Sequence, residues 1–194
     1  EQPFLSLPEA VQQQLYQLER APGVPLFAGG VYSDNYLRFL VTELKPYIDQ
    51  HFATDPAREV TFIMGSSMGG LISWYAQSRY PQVFGGAAAL STHWPGTFSV
   101  ENNPIPQAFL NYLEQQLPAA GQHKWYFDYG DQTLDALYPP LQQQVDRLFR
   151  RKGFSAPLWH SELFAGTDHS EQAWAARLAT PLRFLLAKPT KEQN

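Results

Sequence analysis

Val60-Thr61-Phe62-Ile63-Met64-Gly65-Ser66-Ser67-Met68-Gly69-Gly70-Leu71-Ile72-Ser73-Trp74-Tyr75-Ala76 passes from a β-like run, through small residues, straight into a helical pattern. The small residues carry G-x-S-x-G with Ser67 at the centre. Glycines and serines meet often by chance, so the pattern gains its meaning from where it stands. A strand that turns sharply into a helix lifts the central hydroxyl out of the sheet. It also sets that hydroxyl at a helix N-terminus, whose free N–H groups favour a developing oxyanion. The turn forces strained dihedrals and close backbone approach, so the positions two before and two after should be small, as Gly65 and Gly69 are. The N–H of Met68, next in the chain, is the expected oxyanion donor. A phosphate-cradling loop would read G-x-x-x-x-G-K-[ST], and Leu71 stands where its lysine belongs. Ser67 is therefore the candidate nucleophile, and Ser66 fills the variable position.

Outward from this stretch, strand and helix keep alternating. Residues 60–64 lead to a helical pattern over 71–79, and residues 84–90, rich in Gly and Ala, to one over 107–117. Residues 124–128 precede a helix over 140–151, and residues 157–164 precede one over 171–187. In the third of these helices Leu141, Val145, Leu148 and Phe149 fall at i, i+4, i+7 and i+8, with Pro140 suited to the first turn and Gly153 to the stop. Such alternation predicts βαβ units and an α/β fold with a mostly parallel sheet between two helical layers. Upstream, Ser6 and Glu9 have the spacing of a capping box ahead of Val11, Leu15 and Leu18. A further helix is expected over 35–50, where Pro46 must kink or split it. No clear β run precedes Val60; residues 24–30 come nearest, and Pro25 weakens their strand character.

The bulk composition suits one packed domain spanning 1–194. The 194 residues are 44% hydrophobic and only 16% charged, which excludes a disordered tail. A net charge of −4, with no basic run longer than Arg150-Arg151-Lys152, argues against nucleic acid as a partner. The absence of cysteine excludes disulfides, thiol nucleophiles and thiolate metal sites, and leaves the compartment open. No apolar stretch approaches the roughly 18 residues of a membrane span. Glu1 to Leu5 lack the basic start and apolar run of a signal peptide.

A serine hydroxyl is inert at neutral pH without a base. His51, His93, His123, His160 and His169 compete for that task. When nucleophile, acid and base follow one another in chain order at the carboxyl ends of strands, the base lies after the last strand, as His169 does. Asp168 and Glu171 are spaced as a helix cap pair that would fix His169 at a helix start. His51 and His160 read as packing or surface residues, and His123 precedes a strand on the wrong edge. His93 and Trp94 end the second strand on the ligand edge and are candidate pocket wall. The acid should follow the third strand. Asp128 more plausibly braces that strand, and spacing leaves both Asp131 and Asp135 open.

Taken together, these segments resemble the esterase D, feruloyl esterase and enterochelin esterase-like family of α/β-hydrolases. The likeness runs from Tyr36 to Ile48, from Ile63 to Leu71, and from Tyr80 to Gly85. It continues through Tyr129-Gly130, Leu134-Asp135 and from Gly166 to Trp174. It implies a three-layer α/β-hydrolase fold and a cofactor-free, metal-free serine esterase acting on a small-molecule ester. Acyl transfer to another alcohol is a close variant. Many members place the acid three residues after the loop glycine, here Thr133; a subset has a longer insertion ending in Leu-Asp, so the resemblance favours Asp135 over Asp131. Family domains begin with further strands, so the chain is expected to be the C-terminal portion of such a domain. Its sheet should then be incomplete on the N-terminal side, with an open edge inviting homo-oligomers. A non-catalytic hydrolase-fold module is the competing expectation.

Overall fold

The computed structural model describes residues 1–27 and 30–187. Helices α1 (Gln2–Leu5) and α2 (Glu9–Tyr16) lead into an antiparallel hairpin of β1 (Glu19–Ala21) and β2 (Val24–Pro25). The expected capping box does not form. Ser6 donates its hydroxyl to the Pro3 carbonyl, and Pro8 stands at the cap of α2. Proline's fixed φ starts a helix without a side-chain acceptor.

The helix expected over 35–50 is split, as Pro46 requires. It runs as α3 (Ser33–Phe39), a π-helical segment Leu40–Leu44, and α4 (Lys45–His51). The wider π turn relieves the clash between the proline ring and the preceding carbonyls, so the backbone stays helical from α3 into α4.

Four parallel strands follow: β3 (Phe62–Ser66), β4 (Gly86–Leu90), β5 (Lys124–Tyr129) and β6 (Trp159–Leu163). Their spatial order is the chain order, β3-β4-β5-β6. The crossovers contain α5 (Met68–Arg79), α6 (Ile105–Gln116) and α7 (Pro139–Arg151); α8 (Glu171–Arg177) and α9 (Ala179–Leu186) close the chain. Most boundaries shift by one to three residues from expectation, and two of the differences have a clear local form. Val60 belongs to a 3-10 turn, Arg58–Val60, so the first of these strands starts at Phe62. The last helix breaks at Leu178, because Pro181 has no N–H for the Arg177 carbonyl four residues back.

Side-chain alternation puts Ala89, Trp125 and Phe127 on one face of the sheet, against Trp74 of α5, Leu113 of α6 and Phe149 of α7. Ala88, Leu90 and Tyr126 point to the other face, against Leu185 of α9. Covered on both sides, β4 is buried along its whole length, as parallel strands between helical layers are. Register pairs Ser66 with Leu90, Leu90 with Asp128, and Asp128 with Glu162. The carboxyl ends are therefore level, and the four loops leaving them meet at one edge. Among the described residues β3 pairs only with β4, and no helix is long and apolar enough to cross a membrane.

Candidate active site

Ser67 stands between β3 and α5 with φ 57° and ψ −117°, a strained conformation for a residue with a side chain. Its N–H donates to the Leu90 carbonyl at 2.9 Å, and its own carbonyl accepts from Leu71 at 3.1 Å and His93 at 3.3 Å. These bonds hold the strain in place. A Cβ on Gly65 would lie 2.7 Å from the Gly69 carbonyl, so that position must be glycine. A Cβ on Gly69 would meet no atom outside its own helix turn within 4 Å. The size restriction expected at both glycines therefore falls on Gly65, because the turn brings the backbone of 69 over residue 65 and not the reverse.

His169 and Asp135 reach Ser67 from the loops after β6 and β5. His169 Nε2 lies 2.9 Å from Ser67 Oγ, and Nδ1 lies 2.5 Å from Asp135 Oδ1. The 3-10 turn Thr133–Leu137 carries Asp135 inward, where it is fully buried; the His169 side chain is 14% exposed. Asp135 Oδ2 accepts the Gly130 N–H and the Ser91 hydroxyl, each at 2.6 Å. The His169 N–H donates to Thr133 Oγ1 at 3.0 Å, and its ring stands edge-on to Trp174. Asp131 points elsewhere: its Oδ1 accepts the Gly166 N–H at 2.7 Å and the Gln132 amide at 2.9 Å, which together hold its carboxyl below the usual range. The loops after β5 and β6 also touch through backbone. Asp131 and Gln132 both donate to the Thr167 carbonyl, at 3.1 and 3.0 Å, and any Cβ on Gly130 would run into that carbonyl. The cap of α8 is Ser170, whose Oγ accepts from Ala173; Asp168 only receives the Ser170 hydroxyl, because α8 starts at Glu171, two residues later than a cap at Asp168 would set it.

The two residues proposed as pocket wall lie inside the protein. Trp94 is 2% exposed, stacks on Trp74 and donates its indole N–H to Gln142 at 2.7 Å. His93 is 6% exposed and shares a 2.9 Å hydrogen bond with the Tyr138 hydroxyl. Burial, with the nearby His169 charge, pushes the His93 imidazole down to about 4, so it stays neutral near pH 7. The apolar cavity beside the turn has a volume of about 150 Å³ and is walled by Met68, Ile72, Phe4, Phe27, Ile105 and Phe109. Phe4 and Phe27 come from the N-terminal segment, so nothing near the motif in sequence announces them. Of residues 24–30, the nearest approach to a β run ahead of Val60 in the sequence, Ala28 and Gly29 lie outside the described residues. Among the described residues no group of three or more acidic or histidine side chains could hold a metal ion.

Behind Asp135 lies an ion pair that sequence reasoning missed. Arg177, 5% exposed, meets the fully buried Asp128 at 3.0 Å. Burial pushes the Asp128 carboxyl up while the guanidinium opposes it. A signal existed: Arg177 shares a helical stripe with Trp174, Pro181 and Leu185, and a cation on an apolar stripe needs a buried partner.

A parallel sheet with helices on both faces, and with Ser67, Asp135 and His169 in that chain order at its carboxyl edge, makes this an α/β-hydrolase-fold protein. The chain belongs to the family described as "Putative esterase", whose model matches residues 14–185. Among solved structures, a ferulic acid esterase aligns with a TM-score of 0.60 and 21% identity over 77% of this chain and 60% of its own. The enterobactin esterase of Shigella flexneri aligns with a TM-score of 0.63 and 18% identity, over 78% of this chain and 38% of its own. S-formylglutathione hydrolase of Staphylococcus aureus gives 0.56 and 18%, over 79% and 65%. This chain thus spans less than two thirds of the length of each of these three proteins. No curated protein matches it by sequence.

Proposed function

We propose that the chain is the catalytic part of a serine esterase that cleaves carboxylic esters through an acyl-enzyme on Ser67. The carrying observation is the unbroken hydrogen-bond path from Ser67 Oγ through His169 to the buried Asp135. Ser67 Oγ attacks the acyl carbon as His169 Nε2 takes its proton, and Asp135 holds Nδ1–H and faces the imidazolium so formed. The oxyanion gathers at the N-terminus of α5, with the Met68 N–H as donor. As the intermediate collapses, the alcohol leaves with the His169 proton. Water then repeats the sequence on the acyl-enzyme and releases the acid. No step needs a cofactor. The cavity beside Met68 suits an apolar part of the ester, since a void of this size takes about one benzene ring.

A serine-directed fluorophosphonate separates this reading from a non-catalytic module of the same fold. The expected result is one covalent adduct per chain on the peptide bearing Ser67, absent from Ser67→Ala. A folded protein that takes no label, or takes it at another residue, sinks the reading.

A further inference from the structure

The two oxygens of Asp135 have separate tasks: Oδ1 meets His169, while Oδ2 accepts from Gly130 and Ser91. The direction of the Ser91 proton follows from its other neighbours. A serine hydroxyl has one proton to give and two lone pairs to receive. Ser91 Oγ lies 3.0 Å from Trp174 Nε1 and 2.8 Å from Arg177 Nη2. Indole and guanidinium can only donate, so both lone pairs are occupied and the proton is left for Asp135.

Arg177 is itself fixed. Its Nε donates to Asp128 Oδ1 on β5 and its Nη1 to Thr167 Oγ1 in the loop that delivers His169, each at 3.1 Å. The Ser91 N–H donates to the Asp128 carbonyl at 2.7 Å. Ser91 also has a φ of 41°, a left-handed conformation that a non-glycine residue keeps only where its surroundings hold it.

We propose that Ser91 is a positioning residue for the acid, its proton committed to Asp135 by Trp174 and Arg177 so that the carboxylate stays turned toward His169. This rests on the reading of Asp135 as the acid. Among the described residues the Ser91 hydroxyl bonds Asp135, Trp174 and Arg177, so its loss should act through Asp135 on the chemical step and not on binding.

Steady-state turnover of nitrophenyl butyrate by the wild type, Ser91→Ala, Ser91→Gly, Asp135→Asn and the double variant Ser91→Ala/Asp135→Asn tests this. Ser91→Ala should lower kcat by about 10–100-fold, the scale of a small misplacement of a catalytic group, with KM changed less than about threefold. Ser91→Gly removes the hydroxyl while relieving the φ strain, so it should show the same loss in a protein that folds at least as readily. On the Asp135→Asn background, Ser91→Ala should add less than about threefold, because it acts through that carboxylate. Unchanged kcat in Ser91→Gly, or losses that multiply in the double variant, would overturn the proposal. Full turnover by Asp135→Asn alone would instead remove the acid assignment, and the positioning role with it.

Discussion

Ser67→Ala is expected to lower kcat for a short nitrophenyl ester by about 10⁶-fold, the scale at which loss of the nucleophile abolishes the acyl-enzyme route in other serine hydrolases. Residual activity would come from the Met68 N–H and from binding, which survive the change. Ser66→Ala should keep kcat within about tenfold of wild type, since Ser66 ends β3 in register with Leu90 and His169 reaches its neighbour. The comparison controls for damage to the turn, because both changes delete one hydroxyl from adjacent residues. Equal turnover by wild type and Ser67→Ala would end the serine mechanism.

The second large effect is at Asp135, the proposed acid. Asp135→Asn should cost about 10⁴-fold in kcat, because an amide keeps the shape but no longer fixes the imidazole tautomer or faces the imidazolium with a charge. Asp131→Asn should cost less than about tenfold, since Asp131 binds the Gly166 N–H and the Gln132 amide and stands outside the path to Ser67. Kinetics on the two single variants decide between them. The reverse ranking would transfer the acid role to Asp131, and similar mild losses would mean that no single carboxylate is required.

What the sequence discloses and what it hides have physical reasons. The strand-turn-helix around Ser67 is legible because three local signals agree there: apolar strand residues, small residues in the turn, and an apolar helix. The first three parallel strands are legible as short, mainly apolar runs bounded by turn residues, whereas β6, with His160, Ser161 and Glu162 in its middle, is legible only from its place between two helical patterns. His169 is legible from chain order alone. The choice between Asp131 and Asp135 is not local: only the inward 3-10 turn at Thr133–Leu137 and the bond to Ser91, 44 residues away in sequence, separate them. Trp94 misleads for the same kind of reason. It stands at the ligand edge in sequence, yet the Gln142 acceptor on α7 draws its indole into the core. The cavity wall from Phe4 and Phe27 depends on how the N-terminal segment packs on α6, which no periodicity near Ser67 encodes.

The missing side chain at Gly130 has a dynamic consequence. Because the loops after β5 and β6 lie backbone against backbone there, neither can open without breaking bonds that belong to the other. The amide protons of Asp131, Gln132, Gly166 and His169 are each given to the opposite loop. In deuterated water they should therefore exchange as one cooperative unit, with a shared opening free energy. Asp131→Asn, which weakens one of these bonds, should speed exchange at all four sites together. Four unrelated rates would mean that Asp135 and His169 ride on independently moving loops, and that their 2.5 Å contact is remade at each encounter.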